Sequence, residues 1–168
     1  IGSSQFHLPT GKPQVLRGHV GLVLPDREAL LRRLARVAPD LAGTQFAFQE
    51  MNDHVAVTSP WGNKLRCYAP EERFGPVLLA MPYVEFAVPP GSAAGIAGFY
   101  REMLAAPARV EEGAGGRAAH VGVGERQELI FRESEAPLAA YDGHHLQVYI
   151  ADFAGPHARL QAKGLVSE

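Results

Sequence analysis

A single cysteine, Cys67, stands among 168 residues, so the chain forms no intrachain disulfide and carries no multi-cysteine zinc site. A lone thiol makes a reducing, cytoplasmic compartment the expectation. Charge of one sign is scarce as well. Sixteen Lys and Arg against 18 Asp and Glu leave a formal net charge of −2, which excludes a strong field for nucleic acid or an anionic membrane. No apolar run approaches the roughly 20 residues that a spanning helix needs. The opening residues, Ile-Gly-Ser-Ser-Gln-Phe-His, lack the charged-then-apolar order of a signal peptide. The partner expected is therefore a small molecule, with no nucleic acid and no membrane; a homodimer is a further expectation.

What is present is apolar material in short pieces. Hydrophobic residues make up 46% of the chain and charged residues 20%, enough to build a core and too much to stay disordered. Eighteen glycines and 13 prolines fall mostly between apolar runs, the punctuation of short strands and turns.

The pattern that organises these pieces is a repeat. His19-Val-Gly-Leu-Val-Leu-Pro-Asp26 reads as a strand leading to a helix-starting aspartate. The layout returns at Tyr83-Val-Glu-Phe-Ala-Val-Pro-Pro90 and at His145-Leu-Gln-Val-Tyr-Ile-Ala-Asp152, offset by 64 and then 62 positions. A helix is expected after each copy: 27–41 with Asp26 as its cap, 92–105 with Ser92 as its cap and Pro107 as its stop, and 153–165. Three strands should follow the first helix (44–51, 54–58, 64–68) and three the second (108–112, 117–123, 127–132). The fragment His54-Val-Ala-Val recurs as His120-Val-Gly-Val in the matching strand. Such strand–helix–three-strand units have an open sheet face, and two of them close a cup around a cavity. The run 77–81 reads as a buried crossover between them.

These residues resemble the vicinal oxygen chelate superfamily, the glyoxalase / bleomycin-resistance / extradiol dioxygenase fold. The resemblance rests on the form of His19–Asp26, on the turn Ser59-Pro-Trp-Gly-Asn63 before a last strand, on Gly124-Glu-Arg-Gln-Glu-Leu129, and on the period and element order. It implies an α+β fold of paired βαβββ modules forming a curved sheet or barrel-like cup. The modules would be 16–70 and 81–135, with 143–168 the start of a third.

The resemblance also implies where chemistry would sit. In metal-dependent members, ligands come from the start of the first strand and from the last strand of each unit, leaving open positions for vicinal substrate oxygens. Those positions here are His19, Tyr83 and His145, with Arg66 and Glu128 on the last strands. His19, His145 and Glu128 are thus the expected ligands of a divalent metal (Fe, Mn, Ni or Zn). Tyr83 would be a third ligand or an acid/base, and Arg66 would hold an anionic substrate through a bidentate pair. The function implied is a metal-dependent lyase, isomerase or dioxygenase acting on a small oxygenated substrate. Tyr83 and Arg66 at ligand positions favour an alternative, a metal-free small-molecule binder or drug-sequestering protein of the bleomycin-resistance type. In a third reading, residues after His145 complete a neighbouring subunit. Each residue also has a plainer role: a strand-start histidine, a core phenol, solvent-facing Arg and Glu. Cys67 reads as a buried structural thiol.

Overall fold

A computed structural model of the chain describes residues 1–7 and 10–166, which fall into two units. Unit 1 is Ile1–Phe86 with Ala139–His144; unit 2 is Ala87–Leu138 with the residues from His145 onward. Both mix helix and antiparallel or mixed sheet, an α+β architecture. No helix among the described residues is long and apolar enough to cross a membrane.

Unit 1 holds β1 (Gly18–Val23), α1 (Arg27–Val37), β2 (Ala47–Glu50), β3 (Val55–Thr58), β4 (Lys64–Tyr68) and most of β5 (Ala80–Val88). Asp26 caps α1, its Oδ1 accepting from the Ala29 amide at 2.8 Å. The helix ends sooner than 27–41 because Pro39 offers no amide to continue it; Pro39–Leu41 form a separate 3-10 turn. The strands lie in the order β2-β3-β4-β1-β5, with β1 parallel to β4 and antiparallel to β5.

Strand alternation splits this sheet into two faces. Val20 and Leu22 of β1, Val55 and Val57 of β3, and Leu65 and Cys67 of β4 pack with Leu30, Leu31 and Leu34 of α1 as the core. The intervening positions His19, Gly21, Arg66, Tyr83 and Glu85 fall on the opposite face. The turn 59–63 fixes the lead-in to β1. Asn63 Oδ1 accepts from the Leu16 amide at 2.9 Å and its Nδ2 donates to the Gln14 carbonyl at 2.8 Å.

Unit 2 carries α2 (Ala93–Leu104), β6 (Ala108–Gly113), β7 (Gly116–Gly124), β8 (Gln127–Glu133) and α3 (Ala154–Ala162). Ala93 and Ala97 of α2 pack on Ala119 of β7, with Ile96, Ala108, Val110 and Phe131 around them. The expected Ser92 cap is not made; the Glu133 carboxylate accepts from the Ala93 amide at 2.8 Å instead. The helix stops where Ala105 turns left-handed (φ 53°), two residues before Pro107.

Three further expectations differ from the structure. The run 77–81 is not buried: Leu78 is 70% exposed and Leu79 is exposed too, and within unit 1 only Met81 reaches the core. Its apolar character belongs to the start of β5, not to a covered crossover. Residues 145–152 form no strand, because no strand lies beside them among the described residues to supply a ladder. The helix after them is shorter than 153–165.

Candidate functional site

Register decides which side chains meet on the face of unit 1 away from α1. Antiparallel pairing sets His19 opposite Glu85 and Gly21 opposite Tyr83, while parallel pairing sets Gly21 beside Arg66. The glycine matters. A Cβ on Gly21 would lie 2.3 Å from a Tyr83 ring carbon, so only a residue without a side chain lets that ring lie across β1. Laid there, the Tyr83 hydroxyl is 3.2 Å from His19 Nε2 and 2.8 Å from the Tyr68 hydroxyl. His19 is 8% exposed, and its Nδ1 sits 3.8 Å from a Glu85 carboxylate oxygen. The result is one polar chain: Glu85, His19, Tyr83, Tyr68. The Tyr68 ring is fixed by His54 and Phe74, with centroids at 5.4 and 5.1 Å, and by the Arg73 guanidinium 4.8 Å from its centroid.

Burial pushes the Tyr83 phenol above its ordinary pKa, and its hydrogen bond with Tyr68 adds to this; the nearby Arg66 charge pulls the other way and is outweighed. Tyr83 is therefore a neutral hydroxyl, a donor and acceptor and not a phenolate. Arg66 shows the converse balance. Partial burial alone would lower its pKa, but Tyr83, Tyr68 and Glu85 together raise it, so the guanidinium is a fixed cation. Among the described residues no carboxylate comes within 4 Å of it, and Arg66 is exposed.

Glu128 is engaged elsewhere, in unit 2. Its Oε1 accepts from Arg109 at 2.6 Å and its Oε2 lies 3.0 Å from His120 Nδ1. Arg109 also pairs with Glu111 at 2.5 Å. Burial would raise the Glu128 pKa, but the hydrogen bonds from Arg109 and His120 prevail and lower it. His145 is exposed and in no strand, while its neighbour His144 is held at 2.8 Å by Asp142. The structure thus brings Tyr83 together with His19 and Arg66; Glu128 and His145 have their own surroundings in unit 2. A cleft of 260 Å³ in unit 2 is lined by Tyr100, Gly122, Tyr149, Ile150, Asp152 and Arg159 among others, and by none of the expected site residues.

The fit of a divalent ion can be tested on this donor set. Such an ion wants two or more imidazole or carboxylate donors free to face it. In unit 1 His19 Nε2 faces a phenol that stays protonated, with a permanent cation close by. In unit 2 both Glu128 oxygens are spent on Arg109 and His120. No three His, Cys, Asp or Glu side chains among the described residues converge where they could hold a metal ion. The residues present do not fit the ion that the resemblance implies.

Two members of the polar chain, Tyr68 and Glu85, escaped the sequence reading. Alternation was the available signal: each lies two residues beyond a residue already singled out, Arg66 and Tyr83, and so on the same face. Cys67 is buried, and burial raises its thiol to about 11, as expected of an inert structural cysteine.

No protein-family model matches the chain, and no curated protein matches it. Solved structures do. The 2,2',3-trihydroxybiphenyl 1,2-dioxygenase from the dibenzofuran-degrading Sphingomonas wittichii strain RW1 superposes over 76% of this chain and 43% of its own, at TM-score 0.50 and 14% identity. An extradiol ring-cleaving dioxygenase from B. fuscum superposes over 76% of this chain and 35% of its own, at TM-score 0.47 and 20% identity. Methylmalonyl-CoA epimerase from Mycobacterium tuberculosis does so over 78% and 94%, at TM-score 0.45 and 15% identity. At these identities the likeness is one of fold. The chain spans well under half the length of the two dioxygenases.

Proposed function

We propose that this chain, whose fold is that of the vicinal oxygen chelate superfamily, binds a small oxygenated anion at Arg66 on the face of unit 1 away from α1, by direct hydrogen bonds instead of through a chelated metal. The observation that carries this reading is Arg66, a cation to which no carboxylate among the described residues comes within 4 Å, beside the Tyr68–Tyr83–His19 chain. A carboxylate set against Arg66 takes paired N–H donors, and the phenols offer it further donors. The reading is that of a metal-free small-molecule binder or drug-sequestering protein, and we place it in the cytoplasm, where a lone thiol stays reduced. Tyr83, kept neutral by burial, serves such a ligand as a hydrogen-bonding hydroxyl and not as a general acid, because its raised pKa makes proton transfer to the ligand unfavourable.

A thermal-shift and titration screen in EDTA, using benzoate and pyruvate as probe carboxylates, tests the reading. Saturable binding by the parent chain is expected, and Arg66→Ala should weaken it roughly 10- to 100-fold, the worth of losing a charge-assisted pair. The competing reading keeps His19, His145 and Glu128 as ligands of Fe, Mn, Ni or Zn for lyase, isomerase or dioxygenase chemistry. Near-stoichiometric metal in the purified protein that disappears in Glu128→Ala would establish it and overturn ours.

A further inference from the structure

Tyr68 is the last residue of β4, and alternation turns its side chain to the face that carries Arg66. The ladder fixes its backbone: Tyr68 pairs with Val23, and its carbonyl accepts from the Leu24 amide at 2.9 Å. No ladder sets the angle of its buried ring. Three side chains from outside β4 do that. His54 comes from the hairpin between β2 and β3; Arg73 and Phe74 come from a single 3-10 turn, Glu72–Phe74, which Gly75 closes at φ 76°. Any swing of the ring moves its hydroxyl furthest, and the hydroxyl is the atom that Tyr83 meets at 2.8 Å.

Arg73 stands apart from the other two because it is itself anchored on both sides. Its Nε lies 2.9 Å from a Glu71 carboxylate oxygen and its Nη2 3.6 Å from Asp53 Oδ2, while Asp53 Oδ1 is 2.7 Å from His54 Nδ1. The guanidinium carbon lies 4.8 Å from the Tyr68 centroid and 4.7 Å from that of Phe74. One planar group thus joins the turn that carries Phe74 to the hairpin that carries His54, and it covers the tyrosine ring between them. Two carboxylates beside it set Arg73 apart from Arg66. What such a paired guanidinium supplies is a flat face and a rigid fork of donors, and a lysine has neither.

We propose that Arg73 is a positioning residue of the anion site: it holds the Tyr68 ring at the angle in which the hydroxyl meets Tyr83 and serves the ligand bound at Arg66. The inference rests on the anion reading for what the hydroxyl does there, and on geometry alone for what holds it. Arg73 acts through Tyr68, so its effect on binding disappears once the Tyr68 hydroxyl is gone.

A double-mutant cycle read by benzoate titration in EDTA, together with fluorine NMR, tests this. Arg73→Lys keeps the charge and gives up the plane. It should weaken benzoate binding roughly two- to five-fold, the worth of a half-exposed cation over a ring. In a Tyr68→Phe background the same substitution should change nothing further. The spectroscopic readout needs no ligand. With fluorotyrosine at the five tyrosines, the Tyr68 resonance is the one lost in Tyr68→Phe. In Arg73→Lys the Tyr68 and Tyr83 resonances should move, and those of Tyr100 and Tyr149, in unit 2, should not. A parent chain that fails to bind benzoate would overturn the anion reading and with it any effect of Arg73 on a ligand, while moved resonances would still support its hold on Tyr68. Full binding by Arg73→Lys, the same loss with and without the Tyr68 hydroxyl, or an unmoved Tyr68 resonance would each overturn the proposal itself.

Discussion

The two units share a backbone plan and differ in what they place on the sheet face away from their helix. In unit 1 that face carries Glu85, His19, Tyr83 and Tyr68 in one polar chain beside Arg66, to which no carboxylate among the described residues comes within 4 Å. In unit 2 it carries Arg109, Glu111, His120 and Glu128, which pair with one another at 2.5–3.7 Å. The recurring histidines make the contrast sharp. His54 and Asp53 are 2.7 Å apart, and the His54 ring leans on Tyr68, whereas His120 faces two glutamates. A face whose charges are already paired offers a ligand little, since displacing a partner costs what the ligand would gain. On the unit 1 face Arg66 meets only phenols and the more distant Glu85 charge, which leaves it for the anion proposed above. The repeat thus distributes two arrangements: unit 2 pairs its charges with one another, and unit 1 keeps Arg66 for a ligand.

The contrast breaks most severely at Gly18. A Cβ there would meet the Glu85 carbonyl oxygen at 1.8 Å, so Gly18→Ala must part β1 from β5. We expect a loss of about 3 kcal/mol by urea denaturation. Gly122→Ala in unit 2, where the Cβ would sit 3.1 Å from a Pro107 ring carbon, should cost much less. Equal losses would mean that unit 1 is not assembled as described. Tyr83→Phe comes next. It removes the hydroxyl between His19 and Tyr68, for an expected cost of about 1–2 kcal/mol and a weaker carboxylate complex. Unchanged binding would remove Tyr83 from the site.

Glu128→Gln should cost only about 0.5–1 kcal/mol at neutral pH, because Arg109 is half exposed and water screens the pair. Its signature is the pH dependence. Glu128 and Glu111 both have folded pKa values below their ordinary 4.5, so their stabilisation is complete above that value and is lost as pH falls through the lowered ones. The acid limb should be shallower in Glu128→Gln, and an identical limb would contradict the cluster. Least of all should change at Cys67. With its thiol raised to about 11, labelling by a thiol reagent at pH 8 should proceed only as fast as the protein unfolds.

Much of this was legible in the sequence where local rules suffice. Lys64–Tyr68 came out residue for residue, and Asp26 announced the start of α1. What failed depended on neighbours. Glu133, not Ser92, caps α2 because β8 brings a carboxylate to that helix end, a contact between residues 40 apart. The third strand-like segment reads as well as the first, yet a strand exists only when another edge lies beside it. Within the site, Tyr83 and Arg66 stood out from the repeat, whereas the pairing of His19 with Glu85 is a property of register. Register is fixed by the whole sheet, so no single segment announces it.

The account rests on Arg66 as the cation that holds an anion on unit 1 without a metal. Calorimetric titration of benzoate in EDTA into the parent chain, Arg66→Ala and Glu128→Gln tests this most directly. Saturable binding by the parent and by Glu128→Gln, weakened at least ten-fold in Arg66→Ala, is the predicted result. Binding that appears only when a divalent metal is restored, and that vanishes in Glu128→Gln, would contradict it.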